Sequence, residues 1–280
     1  MAVFLNLRAM SVGGGPGAEA RLLATEAGDA STLPALAEWV RGKDVLLATH
    51  GFNVDEEDGI ASLSRWRERM NLPAETVFIG VLWAGDAWLP VINYPFQGDD
   101  AMRSGELLAD FLHRHFGQAH SLSFSSHSLG ARMVLETIAR AGLRVRRLVL
   151  MAGAIDDTCL HDEYRHAALR VDVISVLASR GDWVLEVAFP IGNLLGGIVS
   201  RGHPYVHAAL GREGPARADL ANLHPGWQIP DGWDFGHGDY FSRQAGPGLP
   251  PPVNIPPPPY PPVPDDKASW SAGFVSTRIA

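Results

Sequence analysis

Cysteine is almost absent from this 280-residue chain: Cys159 stands alone, so no disulfide can close within it. Long apolar runs are missing too. Nothing reaches the roughly 18 consecutive apolar residues that a membrane-spanning helix needs. The opening Met1-Ala2-Val3-Phe4-Leu5-Asn6-Leu7-Arg8 has neither the basic start nor the long apolar core of a secretory signal, so a cytoplasmic protein is expected. Positive charge is scarce, with 23 Lys and Arg against 31 Asp and Glu and a net charge of −8. No run of Lys or Arg offsets that balance, which argues against a nucleic-acid surface. The glycine loop Gly13-Gly14-Gly15-Pro16-Gly17 lacks the Gly-Lys-Ser/Thr ending of a phosphate cradle and reads as a flexible turn. Internal repeats are absent.

Metal ligands at useful spacing are also lacking. His113 and His115 are two apart on a helix and face different ways. His203 and His207 stand at ligand spacing, but Pro204 intervenes and no third ligand is near, so no metal or cofactor is expected. Cys159, with no base in view, reads as a small buried residue.

What the chain does have is apolar substance, 46% of its residues, enough for a sizeable core in one large or two small α/β domains. Residues 2–12 and 20–25 read as an edge hairpin. A helix capped by Ser31 or Thr32 runs to about Arg41. Strands are expected at 43–49, 76–82, 120–126, 145–152 and 171–178, with helices at 58–70, 100–116 and 129–141 between them. Continuous apolar strands such as Val45-Leu46-Leu47-Ala48 suit a sheet covered on both faces. The alternation points to an α/β fold with a doubly wound, mostly parallel sheet flanked by helices. Past Asp182 a helix over 183–200 is broken by Pro190 and glycines, and a short strand is expected at 216–223. From Pro247 to Pro264 eleven of eighteen residues are proline, which favours polyproline II. The division is therefore a domain over 1–245 and a proline-rich segment over 246–280. Residues 268–280 read as a strand or a tail.

The chemistry centres on Ser126-His127-Ser128-Leu129-Gly130. A buried strand enters it, and Leu129, Met133 and Ile138 leave it at helical spacing. A serine on such a strand-to-helix corner is exposed on a tight turn, with a helix N-terminus behind it. Ser128 is thus the candidate nucleophile. Serine needs a base to take its proton, and the base needs an acid to hold its tautomer. Polar residues just past parallel strands line the edge where sites in open α/β sheets form. Asp156 and Asp182 are the acids so placed. His237, glycine-flanked in Phe235-Gly236-His237-Gly238-Asp239-Tyr240, and His224, before Pro225-Gly226, are the candidate bases. His50 reads as a loop fastener, and His127 as a structural neighbour pointing away from the serine.

These pieces resemble the α/β-hydrolase superfamily of esterases and lipases, and its bacterial branch whose third-strand loop reads His50-Gly51-Phe52-Asn53. Leu82-Trp83-Ala84-Gly85 after the next strand, the Ser128 corner and the His237 loop complete the match over roughly residues 2–242. Ser126 departs from the usual glycine. The resemblance implies Ser128 as nucleophile, Asp182 as acid, with Asp156 its rival, and His237 as base. It also implies an oxyanion hole from the backbone N–H groups of Phe52 and Leu129. The expected activity is hydrolysis of a small-molecule carboxylic ester through an acyl-enzyme. Acyl transfer or thioester cleavage at the same triad, or a binding protein on a hydrolase scaffold, are the alternatives. Trp83, Trp88 and Tyr94, beyond a strand end, are candidate pocket residues. The proline-rich segment lies outside the match. Its Val253, Ile255 and Tyr260, with Trp270 and Phe274 beyond, suit docking on the domain or on a partner subunit in a homo-oligomer.

Overall fold

A computed structural model describes residues 3–9, 15–24, 33–52, 54–85, 94–187, 208–241 and 264–280. Among these, seven strands form one sheet: β1 (Val3–Arg8), β2 (Pro16–Ala24), β3 (Asp44–Thr49), β4 (Thr76–Leu82), β5 (Ser121–His127), β6 (Val145–Met151) and β7 (Val171–Leu177). Their order is β2-β1-β4-β3-β5-β6-β7. Only β1 and β2 pair antiparallel; every other neighbouring pair is parallel. The mostly parallel α/β sheet expected from the sequence is what forms.

Connection direction explains the layers. The step from β3 through α2 (Glu56–Glu68) to β4 runs toward the β2 edge. The steps through α3 (Tyr94–His115) to β5 and through α4 (Gly130–Ala141) to β6 run the other way. Because such crossovers are right-handed, α2 falls on one face of the sheet and α3 and α4 on the other. Helix α1 (Leu33–Val40) packs against α3, and α3 against α4. The central strands are covered on both sides, and β4 is buried along its whole length. The direction of winding reverses between β3 and β5, whose carboxyl ends lie side by side at the edge where sites in open α/β sheets form.

Several expectations differ, among them the start of α3, at Tyr94 ahead of 100, and the hairpin strands, Val3–Arg8 and Pro16–Ala24 in place of 2–12 and 20–25. Helix α2 begins at Glu56, ahead of 58, because Asp55 caps it by accepting the Asp58 N–H at 2.8 Å. Residues 216–223 are not a strand. They meet β7 at an isolated Ile174–Leu223 bridge, and Asn222 donates its amide to the Ala168 and Val171 carbonyls. The chain end is neither strand nor tail but a 13-residue helix, Lys267–Ile279. Asp266 caps it through the Ser269 N–H at 3.0 Å, and Ala268, Ala272, Val275 and Ile279 form its buried stripe. That capped, periodic pattern was present in the sequence; the prolines before it hid it.

This C-terminal helix lies beside α2 and β6. Trp66 of α2 donates its indole N–H to Ser271 Oγ at 3.0 Å. Arg146 and Arg147 reach the carbonyls of Ala280 and Arg278 at 3.0 and 2.9 Å, meeting the negative end of the helix. Residues 242–263, with most of the proline run, lie outside the described residues, as does 188–207.

Candidate active site

The corner after β5 is built from close approaches that only small residues allow. Ser128 has φ +54°, a left-handed conformation that costs a non-glycine residue about 1–3 kcal/mol unless its surroundings hold it. They do: Ser128 N–H donates to the Met151 carbonyl at 3.0 Å, and its own carbonyl accepts from Ala131 and Ala154, both at 3.1 Å. A side chain on Gly130 would lie 2.6 Å from the His50 carbonyl oxygen, and one on Gly51 would lie 2.8 Å from Ser128 Cβ. These two glycines let the β3 loop and the β5 corner touch. Ser126, where glycine is more usual, fits fully buried.

Of the two candidate histidines, one reaches the serine. His237 Nε2 lies 2.9 Å from Ser128 Oγ, and its Nδ1 lies 2.7 Å from Asp182 Oδ2. A carboxylate can only accept, so Nδ1 carries the ring proton and Nε2 is free to accept from the Ser128 hydroxyl. Asp182 is fully buried, and its other oxygen accepts the Leu185 N–H at 3.1 Å, at the head of the helical turn 183–187. His224 is engaged elsewhere, with Nδ1 at the Pro225 carbonyl and Nε2 accepting from Arg278 at 2.9 Å. Asp156 bridges to Ala209 and makes no bond to His237.

Two residues tie the parts together, Ser179, which sequence reading passed over, and His127, which it read as structural. Ser179 donates its hydroxyl to the Phe235 carbonyl at 2.6 Å, joining the Asp182 loop to the His237 loop. His127, read as merely structural, donates from Nε2 to the His237 carbonyl at 2.7 Å, since a carbonyl can only accept. Its ring packs against those of His237, Tyr240 and Phe241. No local motif marks either role; both span distances of 56 to 110 residues along the chain.

The matching family model, described as "Alpha/beta hydrolase of unknown function (DUF900)", covers residues 30–243, more than half of the chain. The chain belongs to this family. Among solved structures, this hydrolase is similar to an esterase, PE8, at 20% identity over 70% of this chain and 86% of that one, with a TM-score of 0.40. It is also similar to the phospholipase PlaB from Legionella pneumophila in complex with thio-NAD, at 20% identity. That match covers 42% of this chain and 27% of the phospholipase, with a TM-score of 0.23. No protein of curated function matches it.

In the hydrolase, the loop after β3 is fastened by His50, as expected. Its Nδ1 donates to the Gly51 carbonyl at 2.8 Å and its Nε2 accepts the Trp83 N–H at 3.3 Å. Burial lowers its pKa to about 4, and the nearby Arg8 charge adds to this, so the ring is neutral. Trp83 is a correction. Expected on a pocket wall, it is fully buried, stacks on His50 and donates its indole N–H to the His50 carbonyl at 2.9 Å. An indole so engaged supports the loop from behind and presents nothing to a substrate. Trp88 and Asn53 lie outside the described residues, as does the side chain of Tyr94. Phe52 follows Gly51 directly, and neither its N–H nor that of Leu129 donates to a backbone carbonyl among the described residues.

Elsewhere, a cavity of about 720 Å³ opens beside Arg144, Val171 and Asn222, at the opposite edge of the sheet from Ser128. Among the described residues no three His, Cys, Asp or Glu side chains gather as a metal site. His203 and His207 lie outside them. Cys159 is buried, which pushes its thiol pKa up and leaves it a poor nucleophile. No helix of the described residues is long and apolar enough to cross a membrane.

Proposed function

We propose that this hydrolase cleaves carboxylic esters of small molecules through an acyl-enzyme, with Ser128 as nucleophile, His237 as base and Asp182 as its orienting acid. The observation that carries this reading is the pair of contacts at His237, 2.9 Å to the Ser128 hydroxyl and 2.7 Å to the buried Asp182 carboxylate. Ser128 Oγ attacks the ester carbonyl as its proton passes to His237 Nε2. The imidazolium that forms is stabilised by Asp182 and then protonates the leaving alkoxide. Water, deprotonated by His237 in turn, releases the acid. Charge on the tetrahedral oxygen falls to the N–H groups of Phe52 and Leu129, Leu129 standing at the head of α4, whose dipole favours an anion. None of these steps calls for a metal or a cofactor.

The test is labelling by a fluorophosphonate together with hydrolysis of nitrophenyl esters of graded acyl length. Ser128→Ala is expected to abolish labelling and lower kcat by about 10⁶-fold, with the fold intact. A variant retaining a hundredth of the wild-type rate would sink the assignment. Labelling without hydrolysis would move the reaction to acyl transfer, and a wild-type protein inert to both would leave a binding protein.

A further inference from the structure

The loop that carries His237 has little structure of its own. Asp234 stands in the left-handed region at φ +47°, and Gly236 is fastened only locally, its N–H donating to Asp239 Oδ2 at 2.8 Å. Besides the Ser179 and His127 bonds, the loop is gripped from the C-terminal helix, beyond the 30–243 span of the family match. Lys267 Nζ donates to the Asp234 carbonyl and, at 2.7 Å, to Asp239 Oδ2, while lying 5.4 Å over the Phe235 ring. One ammonium therefore holds the chain three residues before and two residues after His237. One turn on, Ser271 Oγ donates to the Tyr240 carbonyl at 2.7 Å, and Trp270 meets Trp233 and Phe235 edge to face.

We infer that the C-terminal helix positions the base, with Lys267 as the positioning residue that sets the His237 imidazole between Ser128 and Asp182. The inference rests on the triad proposed above. Magnitudes separate this role from plain stabilisation. The side chains of Lys267 and Asp239 are 25% and 38% exposed, and such a pair adds little to global stability. Base geometry is far less forgiving, since a displacement near 1 Å at a reacting group can cost about a hundredfold in rate. A change at Lys267 therefore acts on kcat before it acts on melting.

The experiment compares the full-length protein with Lys267→Met and Lys267→Arg. It reads native-state hydrogen exchange at residues 234–241, the fluorophosphonate labelling rate, kcat and KM for a nitrophenyl ester, and the melting temperature. In Lys267→Met, exchange at Gly236 and Asp239 is expected to quicken about tenfold. Labelling and kcat are expected to fall about tenfold, with KM within about twofold of wild type and melting nearly unchanged. Lys267→Arg, which keeps the charge and donors, recovers most of the loss. Wild-type exchange and labelling in Lys267→Met would overturn the inference. So would faster exchange with undiminished labelling, because the helix would then hold the loop without positioning the base. Exchange needs no substrate, so a wild-type protein silent to the probe sinks the proposed function, whereas unchanged exchange in Lys267→Met overturns the brace whatever the protein's activity.

Discussion

The two halves of the candidate site are made in opposite ways. The nucleophile half, His50–Phe52 and Ser126–Gly130, is local: two short loops leave adjacent parallel strands and touch through Gly51 and Gly130. The base half is assembled at long range. His237 is fixed by Asp182, 55 residues away, by Ser179 acting on Phe235, by His127 across 110 residues, and by Lys267 of the C-terminal helix. Rigidity in the first half comes from sterics, because neither loop has room to move. In the second it comes from a set of hydrogen bonds, each modest and each replaceable in principle. A fault in the first half should therefore be all-or-none, and a fault in the second graded.

The acid is the exception within the second half, and its loss is the largest effect expected there. Asp182→Asn should lower kcat by about 10⁴-fold, because an amide at that position favours the wrong His237 tautomer. Asp156→Asn should leave kcat within about threefold, since the bonds of His237 go to Asp182 and Ser128 and the half-buried Asp156 is replaced by a side chain of nearly equal size. Steady-state kinetics of the two variants decide between them, and the reverse order would move the acid to the β6 loop.

The steric half is tested by Gly51→Ala. The added methyl group would sit 2.8 Å from Ser128 Cβ and 2.9 Å from His127 Nδ1, so the loop after β3 must retreat. A displacement of that kind is expected to cost about a hundredfold in kcat. A fully active Gly51→Ala would show that the two loops have slack and would erase the contrast drawn between the halves.

A smaller effect, read in stability alone, concerns His50. Its folded-state pKa is lowered by burial from 6.5 to about 4, whereas the unfolded chain titrates at the ordinary value. Above about pH 6.5 neither state binds the proton and the full contribution of His50 is present. As pH falls from there toward 4, the unfolded state alone takes up the proton, and up to about 3 kcal/mol of stability is lost. Chemical denaturation across that window should show the slope, and His50→Gln should flatten it. An unchanged slope in the variant would assign the acid sensitivity elsewhere.

Much of this was legible in the residues themselves. The parallel strands are continuous apolar runs because both faces are buried, so β3 and β4 stand out with nearly their observed bounds. Ser128 is marked by the small residues around it, which its left-handed backbone requires. Gly130 is marked as part of that turn, and Gly51 only by the resemblance of its loop. The preference for Asp182 over Asp156 and for His237 over His224 came from position and resemblance, not from any contact the sequence could display. Trp83 shows the limit. A tryptophan past a strand end reads alike as pocket wall or buried support, and only the neighbouring His50 carbonyl, 2.9 Å from its indole nitrogen, settles which.

By itself, then, the amino-acid order determined the sheet, its winding and the tight corner that carries Ser128. Those depend on periodicity, on side-chain size and on which φ a residue tolerates, all properties of short stretches. Tertiary structure alone decided which histidine and which aspartate meet, that His127 and Ser179 bind the base loop, and that the chain end returns as a helix to hold Asp234 and Asp239. Each of those outcomes is a contact between segments 28 to 110 residues apart. Such a contact exists only after the sheet has brought its strand ends to one edge.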